Sequence, residues 1–239
     1  MTQLNNISTI EATLELVTGL RIGAGDSEMH IGGVDNTVIK HPHTHLPYIP
    51  GSSLKGKIRS LLEWRTGAVQ QEALGWRDYQ HASGTQKAEV KRILQLFGIS
   101  AGDKSGLEEM LELGPSRAAF WDCKLQAEWE QRMRQDNLPL EVKSENRINR
   151  ISGVAEHPRL TERVPAGVCF DFRLSLKQLT GDEQALLTTL LQGLKLLELD
   201  SLGGSGSRGY GKVRFKALRI NGQDSQTLFN EIEPFARPA

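Results

Sequence analysis

Val168, Phe170, Phe172, Leu174 and Leu176 alternate with Cys169, Asp171, Arg173 and Ser175. A period of two marks a strand with one face on a core and the other wet. This is the clearest strand in the chain. Two distant segments repeat the pattern. Ile10, Ala12, Leu14 and Leu16 alternate with Glu11, Thr13 and Glu15, and Val213, Phe215 and Ala217 alternate with Lys212, Arg214 and Lys216. A fourth strand is expected within 118–125. Three helical stripes lie between them. Leu54, Ile58, Leu61 and Leu62 predict a helix ending at Gly67, and Val90, Ile93, Leu94 and Phe97 a shorter one ending at Gly98. Thr180 and Glu183 read as a capping box before Leu186, Leu187, Leu190, Leu191, Leu194 and Leu197. The order strand, helix, strands, helix, strand predicts an α+β fold with a ferredoxin-like, split βαβ core. The poorly periodic stretches 76–114 and 129–164 read as insertions. The second sets Lys143, Arg147, Arg150, Arg159 and Arg163 against Glu141, Glu145, Glu156 and Glu162, as expected of a projecting hairpin.

The chain's 239 residues suffice for one large domain or two small ones, with a full core. Twenty-nine Lys+Arg balance 29 Asp+Glu, which excludes bulk attraction to nucleic acid or membrane and leaves local patches. Cys123 and Cys169 are too few for a disulfide framework or a four-ligand zinc site. No apolar run approaches membrane-spanning length, and the start lacks a signal core. A cytoplasmic protein without membrane contact is expected.

Two motifs invite a nucleotide reading. Gly51-Ser-Ser-Leu-Lys-Gly56-Lys57 matches a phosphate-binding loop, but Ile58 stands where Ser or Thr must hold magnesium, and Pro47 and Pro50 spoil the strand that should precede it. Gly204-Ser-Gly206-Ser-Arg-Gly209 matches the dinucleotide fingerprint, but it follows a helix and precedes a strand, the reverse of what that site requires.

The glycine segments have another use. Ser52 or Ser53 could cap the helix behind them, and the free N–H groups of its first turn would attract an anion. Lys55 and Arg59 share one face, Lys57 lies on another side, and 40–62 holds Lys40, Lys55, Lys57 and Arg59 and no acid. The plain alternative is a capped amphipathic helix with a solvated face. In 202–216, five glycines permit close approach, Arg208, Lys212, Arg214 and Lys216 bring charge, and Tyr210 could stack on a base. The alternative there is a mobile hairpin loop. Together the two basic segments point to a groove tracking a sugar-phosphate chain.

Asp35 follows two glycines in an expected loop. Such an Asp is a turn former or a carboxylate for a metal-bound water. Only Asp26 and Glu28 lie near enough in sequence to add a second carboxylate, so any metal would be loosely held and completed by substrate. His41, His43 and His45 read as a surface loop.

These residues resemble a known family. Thr18-Gly-Leu-Arg-Ile-Gly, Gly33-Val-Asp35-Asn-Thr-Val-Ile-Lys40, Leu46-Pro-Tyr-Ile-Pro-Gly-Ser-Ser-Leu-Lys-Gly-Lys-Ile-Arg59, Glu162-Arg-Val-Pro-Ala-Gly167 and Leu202-Gly-Gly-Ser-Gly-Ser-Arg-Gly-Tyr-Gly-Lys-Val213 are similar in order and spacing to the RAMP superfamily of CRISPR systems. They resemble most the multi-copy backbone subunits of type III-A (Csm-type) effector complexes. The resemblance implies a single RAMP domain over 1–239 with an RRM-like core, a lid inserted at 68–116 and a thumb hairpin at 128–165. It implies copies that stack along a CRISPR guide RNA beside other effector subunits. It further implies that the thumb interrupts the guide–target duplex, and that Asp35, with a divalent metal such as Mg2+, cuts target RNA at each gap. The implied RNA contacts are Arg21, Ser52, Ser53, Lys55, Lys57, Arg59, Arg147, Arg150, Gly204, Gly206, Ser207, Arg208 and Tyr210. Relatives often carry His where this chain has Arg21, which cannot serve as a base. The competing readings are a catalytically inactive RNA scaffold and a P-loop-like nucleotide hydrolase.

Overall fold

The computed structural model describes residues 3–23, 36–99, 113–135, 140–182 and 184–236. Its main sheet has five strands: β1 (Leu4–Leu16), β2 (Ala118–Phe120), β5 (Cys169–Leu179), β6 (Val213–Ile220) and β7 (Gln223–Asp224), in the order β2-β5-β1-β6-β7. Every neighbouring pair is antiparallel. Helices α1 (Gly51–Thr66) and α5 (Ala185–Leu199) supply the two crossovers, and β1-α1-β2-β5-α5-β6 is the ferredoxin-like sequence of elements. The predicted stripes face inward. Leu54, Ile58 and Leu62 of α1 and Leu190, Leu194 and Leu197 of α5 are fully buried with Ile10, Leu14, Phe170 and Leu174 of the sheet. On the opposite sheet face Glu11 pairs with Arg173 and Glu15 with Lys216, both at 2.6 Å. That face is a charge ladder, so "RRM-like" describes the topology here and not an aromatic platform for bases.

Three local expectations change. The strand expected within 118–125 is regular only to Phe120, after which single bridges join Cys123 to Ile49 and Leu125 to Phe170. Ala217 does not continue the inward row of β6. The register against β1 shifts there, Ala217 takes φ +50°, and Leu218 turns into the core. Such a bulge sets two residues opposite one. The Gln226 side chain satisfies it by accepting from the Leu218 N–H at 2.8 Å. Finally, Thr180 does not cap α5. The helix begins at Ala185, and Thr180 reaches across to Gln3 and Asn5 of the first strand region. Glu183 lies outside the described residues.

The chain between α1 and β2 carries α2 (Trp76–His81) and α3 (Gly84–Phe97). Ile93, Leu96 and Phe97 join the main core, while Leu74, Trp76, Val90, Leu94 and Leu113 make a second small core. After α4 (Ala127–Gln135), strands β3 (Glu141–Ile148) and β4 (Ala155–Arg163) form a separate two-stranded sheet, which a single bridge joins to Asn36 at Thr161. This hairpin is rooted where Val164 exchanges both backbone bonds with Leu20, and its tip residue Ile151 is 99 % exposed. Helix α6 (Gln226–Asn230) closes the fold, with Phe229 packed on Phe215. Among the described residues no helix is long and apolar enough to cross a membrane.

Candidate nucleic-acid interface

The first turn of α1 is not the open anion site its sequence suggests. Neither Ser52 nor Ser53 caps it. Pro50 is the N-cap, and its carbonyl accepts from Ser53 at 3.0 Å and Leu54 at 3.3 Å. The Gly51 N–H donates to Asp122 Oδ1 at 2.7 Å. Gly51 is small for a packing reason: a Cβ there would stand 2.5 Å from the Phe120 carbonyl oxygen. Only the N–H of exposed Ser52 is left without a partner among the described residues. Residues 51–57 are helical throughout, so they form no phosphate-cradling loop.

The cations of α1 divide by environment. Arg59 is not a surface phosphate contact. Its side chain is 12 % exposed and donates to Glu63 at 2.7 Å, the Gly98 carbonyl at 3.0 Å and the Leu74 carbonyl at 2.6 Å. It ties α1 to the segment leading into α2 and to the end of α3. Lys57 pairs with Asp200 at 2.6 Å. Lys55 is half-buried and has no ion pair among the described residues. Lys57 facing Asp200 and Arg65 donating to Gln192 show that α1 and α5 run antiparallel. The start of α1 and the glycine loop that follows α5 therefore lie at the same end of the molecule.

At that end Arg21 is the joint. Its carbonyl accepts from Gly204 at 2.9 Å and its Nη2 donates to Asn36 Oδ1 at 2.9 Å. A side chain at position 203, where φ is +74°, would collide with the Arg21 carbonyl. Asn36 also accepts from the Glu162 N–H at 2.9 Å, and Glu162 Oε2 takes the Val38 N–H at 2.8 Å. The segment after Asp35, the glycine loop and the root of the β3–β4 hairpin thus meet at Arg21. Asp35, Asp26 and Glu28 themselves lie outside the described residues.

Tyr210 does not present its ring to a base. It is fully buried, because the hairpin root closes over it. Lys143 Nζ lies 4.5 Å and Arg163 Cζ 5.0 Å from its ring centroid. Burial and the neighbouring Glu145 carboxylate hold its hydroxyl above the ordinary pKa. One residue before Gly209, the 3₁₀ turn Gly206–Arg208 exposes Ser207 and Arg208. Arg208 leans onto the hairpin, with Nη1 2.8 Å from Glu145 Oε2.

Between turn and hairpin opens a cleft of about 890 Å³. Lys143, Arg147, Arg150, Arg159 and Arg208 line it, against Glu145 and Glu156. The structure thus gathers the predicted Arg147, Arg150 and Arg208 around one cleft. Gly204 and Gly206 lie half-buried in the loop below. A second recess of about 670 Å³ is lined by Asn36, His157, Pro158 and Arg159, with His157 at φ +50°. Lys143 and Arg159 stand out in the sequence only as hairpin charges, and no motif marks His157. Their signal was hairpin pairing, which sets Glu145 opposite Arg159 and Arg147 opposite Glu156. Such a wall of guanidinium groups suits the phosphates of a polynucleotide. Among the described residues no three His, Cys, Asp or Glu side chains gather to hold a metal. The ring centroids of His41 and His43 lie 5.6 Å apart in an exposed turn.

Residues 13–214 match the RAMP superfamily. The chain is 39 % identical over 218 residues to the CRISPR system Cms endoribonuclease Csm3 of Methanothermobacter thermautotrophicus, covering 85 % of this chain and 81 % of that one. It is 39 % identical over 229 residues to the Csm3 of Streptococcus thermophilus, covering 92 % and 94 %. With the Csm3 of Mycobacterium tuberculosis it shares 38 % over 224 residues, 88 % and 86 % of the two chains. Among solved structures it is similar to a chain of the Csm3–Csm4 subcomplex of the type III-A CRISPR-Cas interference complex (TM-score 0.52, 29 % identity, 91 % of this chain and 80 % of that one). A chain of the type III-B Cmr-beta complex bound to cognate target RNA shares the fold (TM-score 0.57, 15 % identity, 90 % and 60 %).

Proposed function

The chain belongs to the RAMP superfamily, in its Csm3 family, and from that premise we propose that it is a guide-RNA-binding backbone subunit of a cytoplasmic type III CRISPR effector complex. In this reading copies of the chain stack along the guide beside other subunits, and each cuts complementary target RNA. The observation that supports it most is the cationic cleft, because its His157 and Arg159 also line the neighbouring recess that holds Asn36, the residue after Asp35. Segment 128–165 then acts as the thumb and 68–116 as the lid.

The division of labour follows from side-chain chemistry. Arg147, Arg150, Arg159 and Arg208 hold phosphates, with Ser52, Ser53 and Lys55 available on the neighbouring helix. Arg21, bonded to Asn36, braces the residue after Asp35. Cutting joins a ribose 2′ oxygen to phosphorus as the bond to the 5′ oxygen breaks. The 2′ proton leaves and the 5′ oxygen gains one. A regular duplex denies the in-line approach, and a strand bent by the thumb would allow it. We assign the cut to Asp35; its carboxylate together with the substrate would hold Mg2+, which would supply positive charge at the reacting phosphate.

The test is reconstitution with guide, partner subunits and labelled complementary RNA. Asp35→Ala is expected to leave assembly and target binding intact and to abolish the ladder of products, and EDTA followed by Mg2+ to erase and restore it. A ladder unchanged in the mutant complex ends the catalytic assignment. Binding without any ladder in the wild-type complex leaves the scaffold.

A further inference from the structure

Glu145 is a carboxylate on the wall of a cleft otherwise suited to anions, and its place there is built. Its side chain is 17 % exposed. Oε2 accepts from Arg208 Nη1 at 2.8 Å, and Oε1 lies 3.6 Å from Lys143 Nζ. Lys143 in turn donates to the Arg208 carbonyl at 3.2 Å and covers the Tyr210 ring. Burial acts to raise the Glu145 pKa, but the Tyr210 hydroxyl, Arg208 and Lys143 outweigh it and hold the carboxyl below its ordinary range.

A loop holding Gly203, Gly204, Gly206, Gly209 and Gly211 has little side-chain material to fix Arg208. Ordering such a loop at the moment of binding costs affinity, and ordering it beforehand avoids that cost. Glu145 supplies the order from a strand 63 residues away. It engages one terminal nitrogen of a guanidinium that carries five N–H donors. The Arg208 side chain stays 58 % exposed and lines the cleft, so its remaining donors are open to solvent there. Five cations against two carboxylates keep the wall net positive.

We propose that Glu145 is a positioning residue for RNA: it holds Arg208 across the hairpin root so that the open side of the guanidinium meets a phosphate. This rests on the reading of the cleft as an RNA site. The opposite role, a carboxylate that competes with phosphate for Arg208, predicts the opposite sign on removal.

The experiment is binding of the full chain to labelled single-stranded RNA over a salt series, for Glu145→Ala, Glu145→Gln, Arg208→Ala and the double Ala variant. Glu145→Ala is expected to weaken binding about tenfold, the scale of one charge-assisted contact. It should lower the salt slope by about 0.7, as Arg208→Ala does, because one phosphate contact is lost. The double variant should bind no more weakly than Arg208→Ala alone. Glu145→Gln, which keeps an acceptor for Nη1, should recover most of the loss. If Glu145→Ala does not fold, Glu145→Asp takes its place, being too short to reach Arg208. Binding by the Glu145 variant as tight as wild type or tighter, or losses that add in the double variant, overturns the proposal. Arg208→Ala without effect removes the RNA reading of the cleft as well.

Discussion

The Gly51 amide donates to the Asp122 carboxylate at 2.7 Å, so the positive end of α1 is already answered by a group from the loop after β2. A carboxylate at a helix start does the work of an N-cap. Asp122→Ala is therefore expected to cost about 1–2 kcal/mol of stability in urea unfolding. If the turn were instead a phosphate site, the same substitution would leave stability alone and tighten RNA binding.

Arg59 and Lys55 sit one turn apart and should respond in opposite ways. Arg59→Ala removes the charged partner of Glu63, which is 4 % exposed and keeps the Leu74 N–H at 3.1 Å, and it frees two carbonyls. Breaking a buried pair from one side costs about 3–5 kcal/mol. The expected result is a large loss of stability and an RNA salt slope equal to wild type at a temperature where the variant is folded. Lys55→Ala should lower the slope by about 0.7 with little change in melting temperature.

Acid stability should report on Arg117 and Asp182. Their side chains are each 4 % exposed and meet at 2.8 Å. Burial acts to raise the Asp182 pKa, but hydrogen bonds from Arg117 and the Leu179 N–H, with the Arg117 charge, hold it below the ordinary value. The folded state then keeps Asp182 ionised where the unfolded chain is already protonating. The contribution is complete above the usual Asp pKa of about 3.9 and disappears as pH falls through the folded value. Arg117→Met leaves the buried carboxyl unpaired, so burial raises its pKa. The stability gap between variant and wild type should be widest at neutral pH and narrow in acid. Urea midpoints across pH check this, and a constant gap contradicts it.

What could be read from the chain alone was whatever repeats at short range. The period-two rows of β1, β5 and β6 and the stripes of α1, α3 and α5 are local, and each names its buried face. Ala217 failed that reading because a bulge is set by the neighbouring strand. Thr180 failed it because the first strand region competes for its hydroxyl.

The amino-acid sequence by itself determined the element order, the core and, through its glycine-rich motifs, the family. It also determined which residues carry charge. Only the tertiary structure decided where each charge is spent. Arg59 turns inward to Leu74 and Gly98, Tyr210 disappears under Lys143 and Arg163, and Arg208 is steadied by Glu145. The reason is physical. Whether a guanidinium faces water or a buried carbonyl depends on groups distant in the chain, and no periodicity records such a pairing.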